Sequence, residues 1–161
     1  GELMPIAGVD PDTYKIVVAL STAEGGFDFL IAQGKGRIAE HRFLPLIGQF
    51  RILVNDQRLR DVTWLYLERP PMGVNPRSTI DQAMVVGAVA CILHERGIPF
   101  SLVDSGTWKR VLIGNGRADK PLVKAWSIAN LGLPETLTQD EYDSACIARY
   151  GQLVTGGTPA A

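Results

Sequence analysis

Three short apolar segments come before the first helical pattern, and this order is what most constrains the fold. Residues 5–10 and 14–20 are rich in Val and Ile, and residues 27–32 alternate apolar and polar side chains. Turn-forming residues at positions 23–26 separate the second and third segments. The pattern predicts three strands joined by two consecutive hairpins.

Helical and extended patterns alternate after the hairpins. Residues 42–58 have helical spacing, with Pro45 in the first predicted turn, and residues 62–67 form a predicted strand. The remaining predicted elements are a helix over 78–96 that Gly97 ends, a strand at 99–103, and helices over 106–113, 118–130 and 140–153. This order predicts one α/β domain with a mixed five-stranded sheet flanked by helices.

Length and composition agree with a single globular domain. The chain has 161 residues, of which 46% are hydrophobic and 20% charged, which excludes a disordered chain. No apolar run could span a bilayer and no secretory leader is visible, so we expect a cytoplasmic protein without a membrane partner. We expect residues 1–154 to form the domain and 155–161 a flexible tail, with residues 1–3 before Met4 interpreted as foreign to the native chain.

Charge and cysteine content give weaker constraints. The formal net charge is −1, so the whole molecule shows no bulk attraction for nucleic acid. Any such partner would have to be bound by a local basic patch or through metal ions. Cys91 and Cys146 each lie within an apolar helical pattern, which favours two reduced core cysteines.

Four carboxylates occupy positions where acids are unusual. Asp10 and Glu68 end the first and fourth predicted strands, so both emerge at one sheet edge if those strands are neighbours. Asp140 and Asp143 share one face of the last helix, and Asp143 lies on the same stripe as Ile147. Carboxylates clustered at an apolar boundary repel one another unless a cation lies among them, and oxygen ligands suit Mg²⁺ or Mn²⁺.

Most of these acids also have a purely structural interpretation. Asp10 could begin a turn, and Glu68 could form a surface ion pair with Arg69. Asp140 could serve only the helix dipole, next to a capping box at residues 138–141. The fourth acid is harder to explain in this way, because it lies past the first turn of its helix and faces inward.

The sequence resembles the RuvC family of Holliday-junction resolvases, which belongs to the RNase H-like superfamily. The matching segments are residues 8–11, 66–68, 111–120 and 140–145, in the order and spacing of the family. A Gly-x-Gly-x-Ala-x-Lys turn at residues 114–120, with Trp108 and Lys109 before it, separates RuvC from other members of the superfamily. The resemblance covers residues 5–150 and implies an RNase H-like fold, and the short loops suggest a phage version.

The resemblance implies a metal-dependent nuclease that acts on four-way DNA junctions. Its metal ligands would be Asp10, Glu68, Asp140 and Asp143, which would hold two divalent ions, Mg²⁺ or Mn²⁺, against the scissile phosphate. One ion would activate water and the other would stabilise the leaving 3′ oxygen. The products would be a 5′-phosphate and a 3′-hydroxyl.

Basic residues follow the same resemblance. The two active-site lysines of the family correspond to Lys109 and Lys120, although an arbitrary lysine is usually a solvated surface residue. Residues 109–124 contain five basic side chains against one acid, a strip that could bind phosphates. The predicted DNA contacts are Lys109, Arg110, Arg117, Lys120, Lys124, Arg69, Met72 and Arg77.

One departure from the family concerns the loop after Glu68. RuvC proteins often carry an aromatic residue there that wedges into the junction centre, whereas this chain has Pro70, Pro71 and Met72. Met72 could be an apolar wedge or a simple loop residue.

The helix over residues 78–96 is apolar on much of its circumference, which ordinarily indicates core packing. Its apolar stripe consists of Ile80, Met84, Gly87, Ala88, Cys91 and His94. The resemblance implies that this helix packs against its twin in a C₂ homodimer, with two active sites that make paired symmetric nicks. His41 and His94 have no metal-site spacing and are interpreted as surface or packing residues.

Three other functions fit part of the pattern. A strand-end Gly-x-Asp also begins the phosphate loop of the sugar-kinase and actin group, but those proteins need a second phosphate loop and a much longer chain. Another RNase H-like nuclease could act on branched DNA in general or on RNA–DNA hybrids. A non-catalytic nucleic-acid-binding module could keep the fold, although it would have no reason to retain four clustered acids.

Overall fold

A single mixed sheet organises the molecule. The computed structural model describes residues 4–37, 39–73 and 75–155. The sheet order is β3-β2-β1-β4-β5, with β1 (Ile6–Pro11), β2 (Lys15–Ser21), β3 (Phe27–Gln33), β4 (Trp64–Glu68) and β5 (Phe100–Val103). Strands β1, β2 and β3 are antiparallel neighbours, whereas β4 is parallel to both β1 and β5. The two predicted hairpins and the mixed five-stranded sheet are confirmed.

Six helices accompany the sheet in the described residues. They are α1 (Ala39–Leu53), α2 (Gln57–Arg60), α3 (Pro76–Glu95), α4 (Ser105–Ile113), α5 (Lys120–Leu131) and α6 (Gln139–Thr155). The prediction of one helix over 42–58 is wrong at both ends, because α1 begins earlier and encloses Pro45. The chain then breaks, and Asp56 starts the separate helix α2 by accepting a hydrogen bond from the backbone N–H of Arg58.

The sheet is covered on both faces, so the core has two parts. On one face, α1 and α3 pack on strand residues such as Val9 and Leu65. On the other face, α4, α5 and α6 pack on strand residues such as Ile6 and Tyr66, around the fully buried Trp108. This is a three-layer α/β architecture with an apolar core on each side of the sheet.

Helix α6 lies unusually close to the central strands because two glycines leave room for it. A Cβ at Gly8 of β1 would overlap backbone atoms of Ser144 and Ala148 in α6. A Cβ at Gly151 of α6 would overlap the side chains of Tyr66 and Ile6. These close approaches set the height of α6 above the end of β1 and therefore the position of its acidic residues.

Three other expectations meet the structure here. Cys146 is buried as predicted, but Cys91 is exposed on α3, so the prediction of two core cysteines is wrong for one of them. Helix α6 extends through the buried Thr155, and residues 156–161 of the predicted tail lie outside the described residues, as do residues 1–3. In the described ranges, no helix combines the length and the apolar character needed to cross a membrane.

Candidate active site

Two acids meet at the carboxyl ends of neighbouring parallel strands. Gly8 of β1 pairs with Tyr66 of β4, so Asp10 and Glu68, two residues further along, lie at adjacent positions on the same face of the sheet. This is the face that α6 covers, as the position of Gly151 against Tyr66 shows. Asp10 is 7% exposed, which is rare for a carboxylate.

Helix α6 brings two more acids to this edge. Its start is defined by a capping box, in which Thr138 Oγ1 accepts from the Glu141 N–H and the Glu141 carboxylate accepts from the Thr138 N–H. Further along, Ile147 is fully buried and Tyr150 packs edge-on against Tyr66, with ring centroids 5.7 Å apart. Asp143 lies between the capping box and Ile147, so this packing of α6 places it facing inward, toward the ends of the strands.

The pKa values show that the four carboxyl groups are within electrostatic reach of one another. Burial raises the pKa of Asp10 well above its ordinary value, and the charges of Glu68, Asp143 and Asp140 raise it further. Burial likewise raises the pKa of Glu68 to about 7 and that of Asp143 to about 6. The four acids therefore form one acidic cluster, in which the groups oppose one another's ionisation.

Neutral donors hold two of these carboxylates in place. The buried Trp108 donates from Nε1 to Oε2 of Glu68 at 2.7 Å, and this hydrogen bond lowers the pKa of Glu68 against the effect of burial. Gln139 donates from Nε2 to Oδ1 of Asp143 at 3.0 Å, with the same effect on the pKa of Asp143.

A lysine that sequence reasoning missed contacts the cluster directly. Lys15, the first residue of β2, places its Nζ 2.9 Å from Oδ2 of Asp140. The hydrogen bond to Asp140 raises the pKa of the Lys15 ammonium, which therefore stays charged. The sequence signal for this contact is a charged residue at the start of an otherwise apolar strand, next to the strand that carries Asp10.

The two lysines expected from the resemblance also lie near the acids. Lys109 follows Trp108 on α4, and its charge lowers the pKa of both Glu68 and Asp143. Lys120 begins α5 and also lowers the pKa of Asp143. Lys109 precedes the Gly-rich turn between α4 and α5 and Lys120 ends it, so both flank the turn near the acidic cluster.

The other predicted DNA contacts are spread around this centre. Arg110, Arg117 and Lys124 are exposed, and Arg77 lies exposed in the first turn of α3. On the loop after β4, Arg69 has its Nε 3.8 Å from Asp104, and Met72 is 97% exposed.

The structural interpretations of the acids do not describe their surroundings. Asp10 belongs to β1, and the turn that follows begins at Asp12, whose N–H donates to the Lys15 carbonyl. Glu68 accepts from Trp108, and the ion-pair partner of Arg69 is Asp104. The capping box at residues 138–141 does form, and Asp140 also makes an ion pair with Lys15.

The donor set of the acidic cluster fits a hard divalent cation. Among the described residues, no group of three or more Asp, Glu, His or Cys side chains is placed so that it could hold a metal ion as the side chains stand. Asp140 is paired with Lys15, and Glu68 and Asp143 accept hydrogen bonds from Trp108 and Gln139. These buried carboxylates raise one another's pKa because their charges repel, and a bound cation would offset that repulsion. Oxygen donors of this kind suit Mg²⁺ or Mn²⁺.

Comparison with known proteins gives a consistent result. The crossover junction endodeoxyribonucleases RuvC of three Chlamydia trachomatis strains, of serovars L2, L2b and A, are each 25% identical to this chain over 146 residues. That alignment covers 87% of this chain and 84% of each relative. The chain is similar to RuvC along most of its length. No family model matches the sequence.

Solved RuvC structures have the same fold. RuvC of Thermus thermophilus aligns with a TM-score of 0.70 at 20% identity, over 96% of this chain and 98% of that one. The same protein in complex with a Holliday junction substrate aligns with a TM-score of 0.75 at 19% identity, over 96% and 97% of the two chains. The RNase H-like α/β fold predicted from the sequence is confirmed.

Proposed function

We propose that this chain is a structure-selective endonuclease that resolves four-way (Holliday) DNA junctions. The observation that carries the proposal is the meeting of Asp10, Glu68, Asp140 and Asp143 at one end of the sheet, in a chain similar to RuvC along most of its length. A binding module without chemistry would gain nothing from four acids that oppose one another's ionisation.

The four carboxylates would hold two divalent ions per active site, Mg²⁺ or Mn²⁺. Bound there, the ions would supply a water nucleophile near neutral pH and offset the charge on the scissile phosphate and the leaving 3′ oxygen. Cleavage by this route would leave a 5′-phosphate and a 3′-hydroxyl. The hydrogen bonds from Trp108 and Gln139 would keep Glu68 and Asp143 oriented toward the reacting phosphate.

Lys109 and Lys120 would act on the substrate rather than on the metal. Both lie near Asp143 on the side of the α4–α5 turn. An ammonium group in this position can bind non-bridging phosphate oxygens and stabilise the additional charge that develops during cleavage. This role distinguishes the two residues from Lys15, whose ammonium is paired with Asp140.

A positive surface continues beyond the two lysines. Arg110, Arg117 and Lys124 are exposed on α4, the Gly-rich turn and α5, where they would bind backbone phosphates and fix the position of the DNA. On the other side, Arg69 and Arg77 flank the loop that carries Met72. The exposed Met72 side chain would reach the junction centre. There it would recognise the shape of the DNA rather than the identity of a base.

A homodimer through α3 would place two active sites on one junction. Five exposed residues in the middle of α3 follow helical spacing and are apolar or small, namely Ile80, Ala83, Met84, Gly87 and Cys91. A Cβ at Gly87 would meet nothing within 4 Å, so the stripe is open to a second helix. In a C₂ pair, the same stripe on both copies would be self-complementary and opposed strands would be nicked symmetrically.

The proposed nuclease consists of one domain over residues 1–154. Four-way junctions arise in chromosomal and phage DNA, so we expect it to act in the cytoplasm of a bacterial cell or of a phage-infected host.

A panel of labelled DNA substrates tests this function. With Mg²⁺, we expect paired nicks in a synthetic four-way junction, and far slower cleavage of linear duplex, a flap and an RNA–DNA hybrid of the same sequence. Asp10→Asn and Asp143→Asn should abolish cleavage and leave junction binding intact, because only the metal-dependent chemistry is lost. Preferred cleavage of the hybrid would replace the proposal with an RNase H-type activity, and full activity in either variant would refute it.

A further inference from the structure

The turn between β1 and β2 lies at the rim of the acidic cluster. It follows Asp10 and Pro11 in the chain and closes with a hydrogen bond from the Asp12 N–H to the Lys15 carbonyl. The next side chain after the turn, Lys15, contacts Asp140. The turn joins the end of β1 that carries Asp10 to β2, with Lys15 facing α6 and the ring of Tyr14 facing α1. DNA that lies across this end of the sheet would therefore pass over residues 12–14.

Tyr14 presents an exposed ring on this turn. It is 57% exposed, and every other aromatic side chain in the described ranges is buried or half-buried. A ring that is already more than half exposed loses few contacts when it binds a ligand on its free face.

The ring has a fixed backing. The guanidinium carbon of Arg42 lies 3.8 Å from the centroid of Tyr14, so the arginine covers one face and leaves the other open. Arg42 is itself only 6% exposed. Its nitrogens donate to the backbone carbonyls of Thr13, Gly36 and Arg37, which holds the guanidinium in one orientation.

The charge of Arg42 is not neutralised by an acid. Among the described residues, no carboxylate lies within ion-pair distance of its guanidinium, and its partners are carbonyl oxygens and the Tyr14 ring. A buried cation without a counter-ion is unfavourable by itself. The charge of Arg42 also produces a positive potential at the ring. A polyanion with planar groups would supply the negative charge that Arg42 lacks as a partner.

We infer that Tyr14, backed by Arg42, is a stacking platform for a DNA base next to the scissile phosphate. The inference rests on the proposed function, because it requires DNA at the acidic cluster. A nucleotide supplies both features that the turn lacks, a flat apolar surface for the ring and a negative charge for the arginine below it. The turn thereby helps to choose which phosphate enters the site, so Tyr14 is a positioning residue and takes no part in bond cleavage.

Binding without cleavage tests the inference. In the Asp143→Asn protein with Mg²⁺, we would measure affinity for a synthetic four-way junction that carries 2-aminopurine beside the cleavage point. Replacing Tyr14 by Leu keeps an apolar side chain without a ring, and we expect about tenfold weaker binding, on the order of 1.4 kcal/mol. The stacking quench of 2-aminopurine should disappear in the same variant.

Two further variants separate stacking from folding. Tyr14→Phe keeps the ring and should bind within about twofold of the parent, whereas Ile52→Ala removes an even more exposed side chain from α1 and should have no effect. Equal binding by the Leu variant and the parent, or equal loss in the Leu and Phe variants, would overturn the inference. If the parent shows no preference for the junction over linear duplex, the proposed function has failed instead.

Discussion

Two lysines from different elements lie near the acidic cluster. Lys120 comes from the Gly-rich turn, as the family resemblance implies, and lies near Asp143. Lys15 comes from β2 and pairs with Asp140 at 2.9 Å. A lysine beside the substrate should assist cleavage, whereas a lysine paired with a metal ligand should compete with the metal, so the two residues give opposite predictions.

Replacement of Lys120 by Ala should slow cleavage at least tenfold. A tenfold loss corresponds to about 1.4 kcal/mol of transition-state stabilisation. The measurement is the single-turnover rate on a labelled four-way junction with saturating protein. Lys124→Ala is the matched control, because it removes an exposed lysine one turn further along α5 and should weaken binding without slowing the saturated rate. An unchanged rate in the Lys120 variant would exclude it from the reaction.

Replacement of Lys15 by Met should tighten divalent-ion binding. The ammonium holds one oxygen of Asp140 and adds a like charge to the site, so its removal favours the ion. We expect Mn²⁺ to bind about threefold to tenfold more tightly, or by roughly 0.7–1.4 kcal/mol, in titration calorimetry without DNA. Weaker Mn²⁺ binding would show instead that Lys15 orients Asp140 for the metal.

Among the structural elements, the contact between β1 and α6 decides where the site forms. Asp10 is on the strand and Asp143 is on the helix, and the strand reaches the helix only because residue 8 has no side chain. The distance between these two elements therefore controls both the stability of the fold and the spacing of the acids.

Replacement of Gly8 by Ala should be strongly destabilising. Its Cβ would meet backbone atoms of Ser144 and Ala148, which cannot move aside as a flexible side chain could. We expect a loss of about 3 kcal/mol in the free energy of unfolding, measured by urea denaturation. Gly48→Ala is the control, because Gly48 is exposed in α1 with open space around it, and it should gain about 0.5–1 kcal/mol. Equal stabilities of the two variants would contradict the close contact of β1 and α6.

Across the whole molecule, the acidic cluster makes stability depend on pH. Burial raises the pKa of Glu68 to about 7 and that of Asp143 to about 6, whereas both are near 4 in an unfolded chain. Between these values the folded protein binds more protons than the unfolded chain, so its stability falls as the pH rises.

The melting temperature without divalent ions should therefore decrease from pH 5 to pH 8. Mg²⁺ should restore it at pH 8 and have little effect at pH 5, because the carboxylates must be ionised to bind the ion. Differential scanning calorimetry in EDTA and in Mg²⁺ measures both effects. The same fall in a Glu68→Gln, Asp143→Asn double variant would assign the pH dependence to other groups.

The proposed homodimer makes a second prediction for the whole molecule. Met84→Arg places a charge in the exposed apolar stripe of α3 and should give a monomer in sedimentation at micromolar concentration. The monomer should nick one strand of a junction at a time, without pairing the two cuts. Ile52→Arg, the same kind of change at a more exposed apolar residue of α1, should leave the dimer intact. A parent protein that is monomeric and still makes paired cuts would refute the dimer.

Local patterns were sufficient to predict most of the fold. Strand alternation, helical spacing and Gly97 gave the order and type of nearly all elements, because these signals act over a few residues. They failed where two short-range signals competed, as at residues 42–58, where Asp56 starts a new helix inside an apparently continuous pattern. Exposure was also misjudged for Cys91, because periodicity does not say whether a second layer covers a helix face.

Sequence patterns and the family resemblance identified the four acids, their order along the chain, and the two lysines on either side of residues 110–119. Three contacts could be found only in the folded chain, namely those of Lys15 with Asp140, Trp108 with Glu68, and Arg42 with Tyr14. These partners are separated by up to 125 positions in the sequence and meet through sheet register and the seating of α6. Such contacts depend on how elements pack, and packing is a property of the whole chain rather than of any short segment.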